Sequence, residues 1–198
     1  EEMFPLSPRR SLANNAKPLV LSIGTTTLGA ITGIALVLTG TAKGGPETVS
    51  IQQTIQQLQL GHLLVTNTSV LTVLALGGLL IGIPTLIVLF QNGLVIGLLA
   101  GTAAGTGELG TFFALILPHA VFELPAFWIA GCVGLKVPVD LGAYLLKRRD
   151  APLCRRDIVQ IAVLLIVAFI LIVIAAIVES QITAQIARQS AQGQALSI

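Results

Sequence analysis

The sequence predicts an all-α membrane protein: a polytopic helix bundle with about five transmembrane helices and one short interfacial helix. Three observations carry this. The 198-residue chain is 54% hydrophobic and only 10% charged, whereas soluble domains carry roughly 25% charged residues. Its mean hydropathy is +0.91. Its apolar runs approach or exceed the ~20 residues that cross a ~30 Å hydrocarbon core. The chain reads as a single integral membrane domain.

The elements follow in order. Residues 1–17 are polar, contain Arg9, Arg10 and Lys17, and read as a cytoplasmic segment. Residues 19–40 form the first predicted span. A cleaved signal peptide competes here, because Gly40-Thr41-Ala42 has small-residue cleavage character, but the run is too long for a typical signal core. In residues 41–69, Ile51, Ile55, Leu58 and His62 share one helical face and glutamines fill the others, which predicts a short surface-lying helix. His62 reads as an interfacial residue there. Residues 70–90 are the second predicted span, Gln91-Asn92-Gly93 a tight polar break, and residues 94–107 a short third span. Residues 111–135 form the fourth. A basic loop follows, then residues 158–178, the least ambiguous span. Residues 179–198 read as an external polar tail that begins at Glu179.

Charge placement predicts orientation. Arg9, Arg10 and Lys17 precede the first span, and Lys136, Lys147, Arg148, Arg149, Arg155 and Arg156 lie between the fourth and fifth. Together these are nine of the eleven basic residues. With five spans, both groups fall on one side. The positive-inside rule then places the N-terminus in the cytoplasm and the C-terminus outside the cell membrane.

Polar residues inside apolar runs are the candidates for function. His119 and Glu123 stand four residues apart in LPHAVFELP and share a helix face. Pro118 and Pro125 flank them, each removing a helix hydrogen bond and favouring a kink. Lipid-exposed irregular backbone is not tolerated, so this segment is expected to face protein or water. The pair reads as a structural pin, as the lining of a cavity that binds a cation, a proton or a peptide group, or as a catalytic or metal-binding dyad. A metal needs a third ligand, and the other histidine lies in the outer segment, so no metal is assigned. Asn92 and Asn67 are placed with the pair as a polar intramembrane site, each also positioned to cap a following helix. Asn67-Thr68-Ser69 has the form of a glycosylation acceptor, close to the membrane.

Gly93, Gly97, Gly101 and Gly105 recur every fourth residue and predict close helix packing along one stripe. Cys132 and Cys154 read as reduced thiols, not as a disulfide. No phosphate loop, nucleophile elbow or HExxH is present. No catalytic residue or cofactor is therefore assigned, and nucleic-acid binding is disfavoured. The basic loop suits anionic lipid headgroups, but orientation alone accounts for it.

Asn67, Gln91-Asn92-Gly93 with the following Val-Ile-Gly, and above all ILPHAVFELPAFWIAGCVGL resemble the stage II sporulation protein M family. The resemblance covers roughly residues 67–136. Matching positions are Asn67, Asn92, Gly93, Pro118, His119, Glu123, Pro125 and Gly131. Ala120 and Thr68 depart from the family pattern, which has glycine and asparagine there. The resemblance implies a multi-span prokaryotic membrane protein. The member that gives the family its name acts in engulfment with two peptidoglycan-degrading partners and is not itself an established enzyme. Others occur in circular-bacteriocin clusters, with roles in peptide maturation, export or self-protection. The expected function is a membrane scaffold or translocation-complex component that assembles cell-envelope or membrane partners, with a homo-oligomer possible. A small transporter or channel-like protein, a bacteriocin maturation or immunity component, and an intramembrane enzyme are the alternatives.

Overall fold

The computed structural model describes residues 8–42, 60–148, 150–151 and 153–183. Those residues form five long helices and no strands: α1 (Pro8–Leu38), α2 (Leu60–Leu76), α3 (Ile83–Thr106), α4 (Leu109–Leu145) and α5 (Arg155–Val178). Each contains a stretch long and apolar enough to cross a membrane. The expected surface helix lies largely outside the described residues; its last residue, His62, belongs to the first turn of α2.

Local chemistry sets the helix ends. The second and third helices are separated at residues 77–82, not at the expected Gln91-Asn92-Gly93 break. Gly77–Leu80 forms a 3₁₀ turn, Ile81 and Gly82 adopt positive φ (58° and 79°), and Pro84 sits in the first turn of α3. Proline is favoured at a helix start because its missing N–H has no partner there in any case. Gln91-Asn92-Gly93 lies inside α3, since two amides and one glycine cost too little to break a helix packed along its length. At the other end of α3, Gly107 adopts φ 77° and donates its N–H to the Ala103 carbonyl. That is a glycine-closed helix terminus.

α4 is longer than expected, running through Pro118, Pro125 and Pro138 without interruption. The predicted basic loop therefore starts at its C-terminal end, and Lys136 and Asp140 are buried helix residues. Pro138 removes the hydrogen bond to the Gly134 carbonyl. That carbonyl lies against Gly78, where an added Cβ would stand 2.6 Å from it. The chain also continues helically past Val178. Glu179–Thr183 forms a π turn, so the first residues of the predicted tail extend α5.

Small residues bring the helices together. α1 and α3 run side by side in the same direction. Gly29 and Gly33 of α1 meet the backbone of Phe90, Leu94 and Gly97, while Gly93 and Gly97 of α3 meet the backbone of Thr26 and Ala30. A Cβ at any of these four glycines would strike main-chain atoms. Such approaches favour Cα–H to carbonyl contacts and dense van der Waals packing. Gly101 faces Ile34 and Val37. Gly105 was expected in the same stripe but meets nothing within 4 Å among the described residues. The reason is geometric: α1 ends at Leu38, one turn too early to cover it.

The apolar core joins α2, α3, α4 and α5 through Leu71, Leu74, Leu89, Ala126, Phe127, Ala130, Leu135, Ala168 and Ile172. Thr85, fully buried, donates to the Leu74 carbonyl at 2.9 Å and ties α2 to α3. Large aliphatic side chains such as Ile31, Val65, Ile166 and Ile170 point outward. Helices apolar on all sides, with their largest residues exposed, suit a lipid surrounding.

Candidate functional site

Two polar clusters lie along the antiparallel pair α4 and α5. The first is at the end that carries Lys147, Arg148, Arg155 and Arg156. There the Lys136 ammonium sits 2.8 Å from Asp140 Oδ2 and 3.2 Å from Asp157 Oδ1. Lys136 is 0% exposed, and both aspartates are buried. Asp157 also closes the start of α5: its Oδ2 accepts from the backbone N–H of Cys154 at 2.9 Å and from the Cys154 thiol at 3.0 Å. One cation thus serves two carboxylates and locks the two helices together.

The second cluster is at the opposite end. His119 Nε2 lies 3.9 Å from Glu123 Oε2 on α4. Glu179, from the π turn after α5, joins them, and one ligand atom from each of the three lies within 4.8 Å of the others. All three side chains are half-buried. Among the described residues, no lysine or arginine pairs with Glu123 or Glu179.

A single register relates the two clusters. From Asp140 back to His119 is 21 residues of α4, and from Asp157 to Glu179 is 22 residues of α5. At 1.5 Å per residue this is roughly 32 Å, about one hydrocarbon thickness. Between Asp157 and Glu179 the one polar side chain is Gln160. The His119 cluster accordingly stands roughly 32 Å along the helix pair from the Lys136 cluster.

A cleft of about 320 Å³ opens between α3 and α4 beside this cluster. α3 lines it with Gln91, Asn92 and Leu99, and α4 with Ile116, His119, Glu123 and Phe127. From Ile116 to Phe127 is 11 residues, or about 16 Å of helix. The cleft therefore runs from one turn beyond His119 to Phe127, about 12 Å from His119 toward the Lys136 end. It places Asn92 on the same cavity as His119 and Glu123. Asn92 does not cap a helix; its Nδ2 donates to the Val88 carbonyl at 2.8 Å inside α3. Asn67 does not cap α2 either, being buried within it, and it does not line the cleft. Its Nδ2 has no hydrogen-bond partner among the described residues.

The reading from sequence missed Glu179 because a glutamate directly after an apolar run looks like the start of a solvated tail. It missed the Lys136 cluster because Lys136, Asp140 and Asp157 look like parts of a charged loop. One signal for the latter was present: Cys154 and Asp157 have the spacing of a capping box, which marks a helix start. The cysteines are not bridged; both are free, Cys132 buried and Cys154 exposed.

An all-α membrane bundle, with five long helices among the described residues and a cleft carrying polar groups between two of them, is the class that this fold and site define. Comparison with known proteins makes that class particular. The family model described as stage II sporulation protein M matches residues 22–184, and the chain belongs to that family. The match extends beyond the residues 67–136 that carried the resemblance and takes in both polar clusters. An uncharacterized protein of Methanocaldococcus jannaschii is 34% identical over 171 residues, covering 86% of this chain and 96% of that protein. No solved structure matches.

Proposed function

We propose that the protein is a multi-pass membrane component that assembles with cell-envelope or membrane partners, and that the α3–α4 cleft is where it engages them. The observation that supports this is the cleft reaching Glu123. A protein that only packed its helices together would gain from filling that space, because unfilled volume forfeits packing contacts. Polar groups placed along a cleft between apolar helices instead suit a bound group that itself carries hydrogen-bonding or charged atoms. Glu123, His119 and Asn92 are the contact residues in this reading. Orientation belongs to the same proposal: the basic end faces the cytoplasm, which puts the N-terminus inside, and the His119 cluster then lies on the side away from the cytoplasm.

Two experiments test it. A photoreactive side chain at Val95, in the cleft, should crosslink a discrete protein or peptide in cells, whereas the same group at the outward-facing Ile166 should crosslink lipid. Equal protein capture from both positions would count against the cleft as the contact surface. Cysteines introduced at Pro5 and Ala195 should label from opposite faces of the membrane. Labelling of both from one face would end the five-span orientation.

A further inference from the structure

We infer that His119, Glu123 and Glu179 form a binding site for one divalent transition-metal ion, of the Zn²⁺ type, at the wall of the cleft. The inference deepens the reading of this cleft as a binding site and does not depend on which partner occupies it.

The ligand set points to the metal class. An imidazole nitrogen with two carboxylates suits zinc and its first-row neighbours, whereas calcium and magnesium favour all-oxygen shells of six or more ligands. The geometry is close to what such an ion needs. Tetrahedral ligands at ~2.0–2.1 Å stand roughly 3.4 Å apart. The His119–Glu123 pair is at 3.9 Å, and all three ligand atoms lie within 4.8 Å of one another. Side-chain adjustments of up to about 1.4 Å would bring the three atoms to that separation. His119 and Glu123 also line the cleft. An ion held there keeps a coordination position within reach of whatever enters the cleft.

Charge balance gives a second, independent reason. At the basic end of the same two helices, two buried carboxylates share the Lys136 ammonium. At the far end, two carboxylates are brought together with no lysine or arginine pairing among the described residues. Carboxylates gathered in an apolar setting need a compensating cation or protons. A divalent ion neutralises both and takes the imidazole as its third ligand. Backbone geometry supports the same placement. Glu179 opens a π turn, a feature frequent at functional sites because the extra residue redirects side chains.

The test uses the full chain, purified without a histidine tag in lipid nanodiscs, stripped with chelator and titrated with Zn²⁺. The expected result is one Zn²⁺ per chain. His119→Ala, Glu123→Gln and Glu179→Gln should each weaken binding by more than about a hundredfold, since even outer-shell partners contribute 10–100-fold. His62→Ala, which removes the other histidine, should leave binding unchanged. Co²⁺ bound to the unaltered chain should show the visible absorption of a four-coordinate site, and Zn²⁺ should abolish it. This readout stands even where a variant fails to fold. Absence of stoichiometric Zn²⁺ and of the Co²⁺ band would overturn the assignment, as would a folded Glu179→Gln protein that binds like the unaltered chain. Loss of metal binding with Val95 crosslinking intact would remove the ion and leave the cleft as the partner surface. Failed crosslinking with intact metal binding would do the reverse.

Discussion

The two ends of the α4–α5 pair solve the same electrostatic problem differently. Each end brings together two carboxylates, one from α4 and one from α5 or the turn that follows it. The basic end encloses them around the buried Lys136. The far end has a histidine in place of the lysine and lies open to the α3–α4 cavity. A buried ion pair is often no better for stability than well-packed apolar residues, but breaking one by removing a partner is strongly destabilising. The basic end is therefore a structural lock that tolerates no single loss. The far end is built to take up a cation from outside itself, and its stability should depend on what is bound.

The largest expected effect comes from breaking the lock. Lys136→Met leaves Asp140 and Asp157 buried without their cation, which should cost about 3–5 kcal/mol. The folded fraction in size-exclusion chromatography should collapse. Adding Asp140→Asn and Asp157→Asn should recover much of it, because the uncompensated charge then disappears. Failure of that rescue would show that the lysine acts through packing rather than charge.

Next is a change that touches neither cluster. Gly97→Leu drives a side chain into the Ala30 backbone, whereas Gly105→Leu enters open space. Overpacking of this kind costs about 1–3 kcal/mol or more. Gly97→Leu should lower the melting temperature seen by Trp128 fluorescence, and Gly105→Leu should leave it unchanged. Equal effects would place the α1–α3 contact elsewhere.

A smaller effect is expected where the lock meets a helix cap. Cys154→Ala removes the thiol contact to Asp157 but leaves the backbone N–H contact. Cap losses run from about 0.5 to 2 kcal/mol, and this one should fall at the low end. A loss as large as that of Lys136→Met would mean that Asp157 is held mainly by Cys154. Smallest of all is Glu123→Gln in metal-free protein, which keeps hydrogen bonding and removes one charge. It should change stability by less than about 0.5 kcal/mol, measured by circular-dichroism melting. A drop of several kcal/mol would make Glu123 a structural pin like Lys136.

Much of this was legible in the sequence, and what was not has a physical pattern. Five long apolar helices follow from composition and run length, and the i,i+4 spacing put His119 beside Glu123. Helix boundaries failed where packing overrides local preference: Gln91-Asn92-Gly93 stays helical because Gly93 lies on α1, and α4 passes through three prolines because its neighbours support it. Pairings between helices distant in the chain were invisible. Glu179 reaches His119 across 60 residues, and Asp157 reaches Lys136 across 21. Spacing within one helix cannot reveal either, because each depends on the register between two.

That difference between the ends is tested most directly by making the same chemical change at both. The measurement is the melting temperature, in metal-free protein, of Asp157→Asn against that of Glu179→Gln. Asp157→Asn weakens the pairing with Lys136 and the helix cap, so it should lower the melting temperature by several degrees. Glu179→Gln separates no ion pair among the described residues and relieves the repulsion with Glu123, so the melting temperature should hold or rise. A fall with Glu179→Gln equal to that with Asp157→Asn would contradict the account, because both ends would then be closed structural locks.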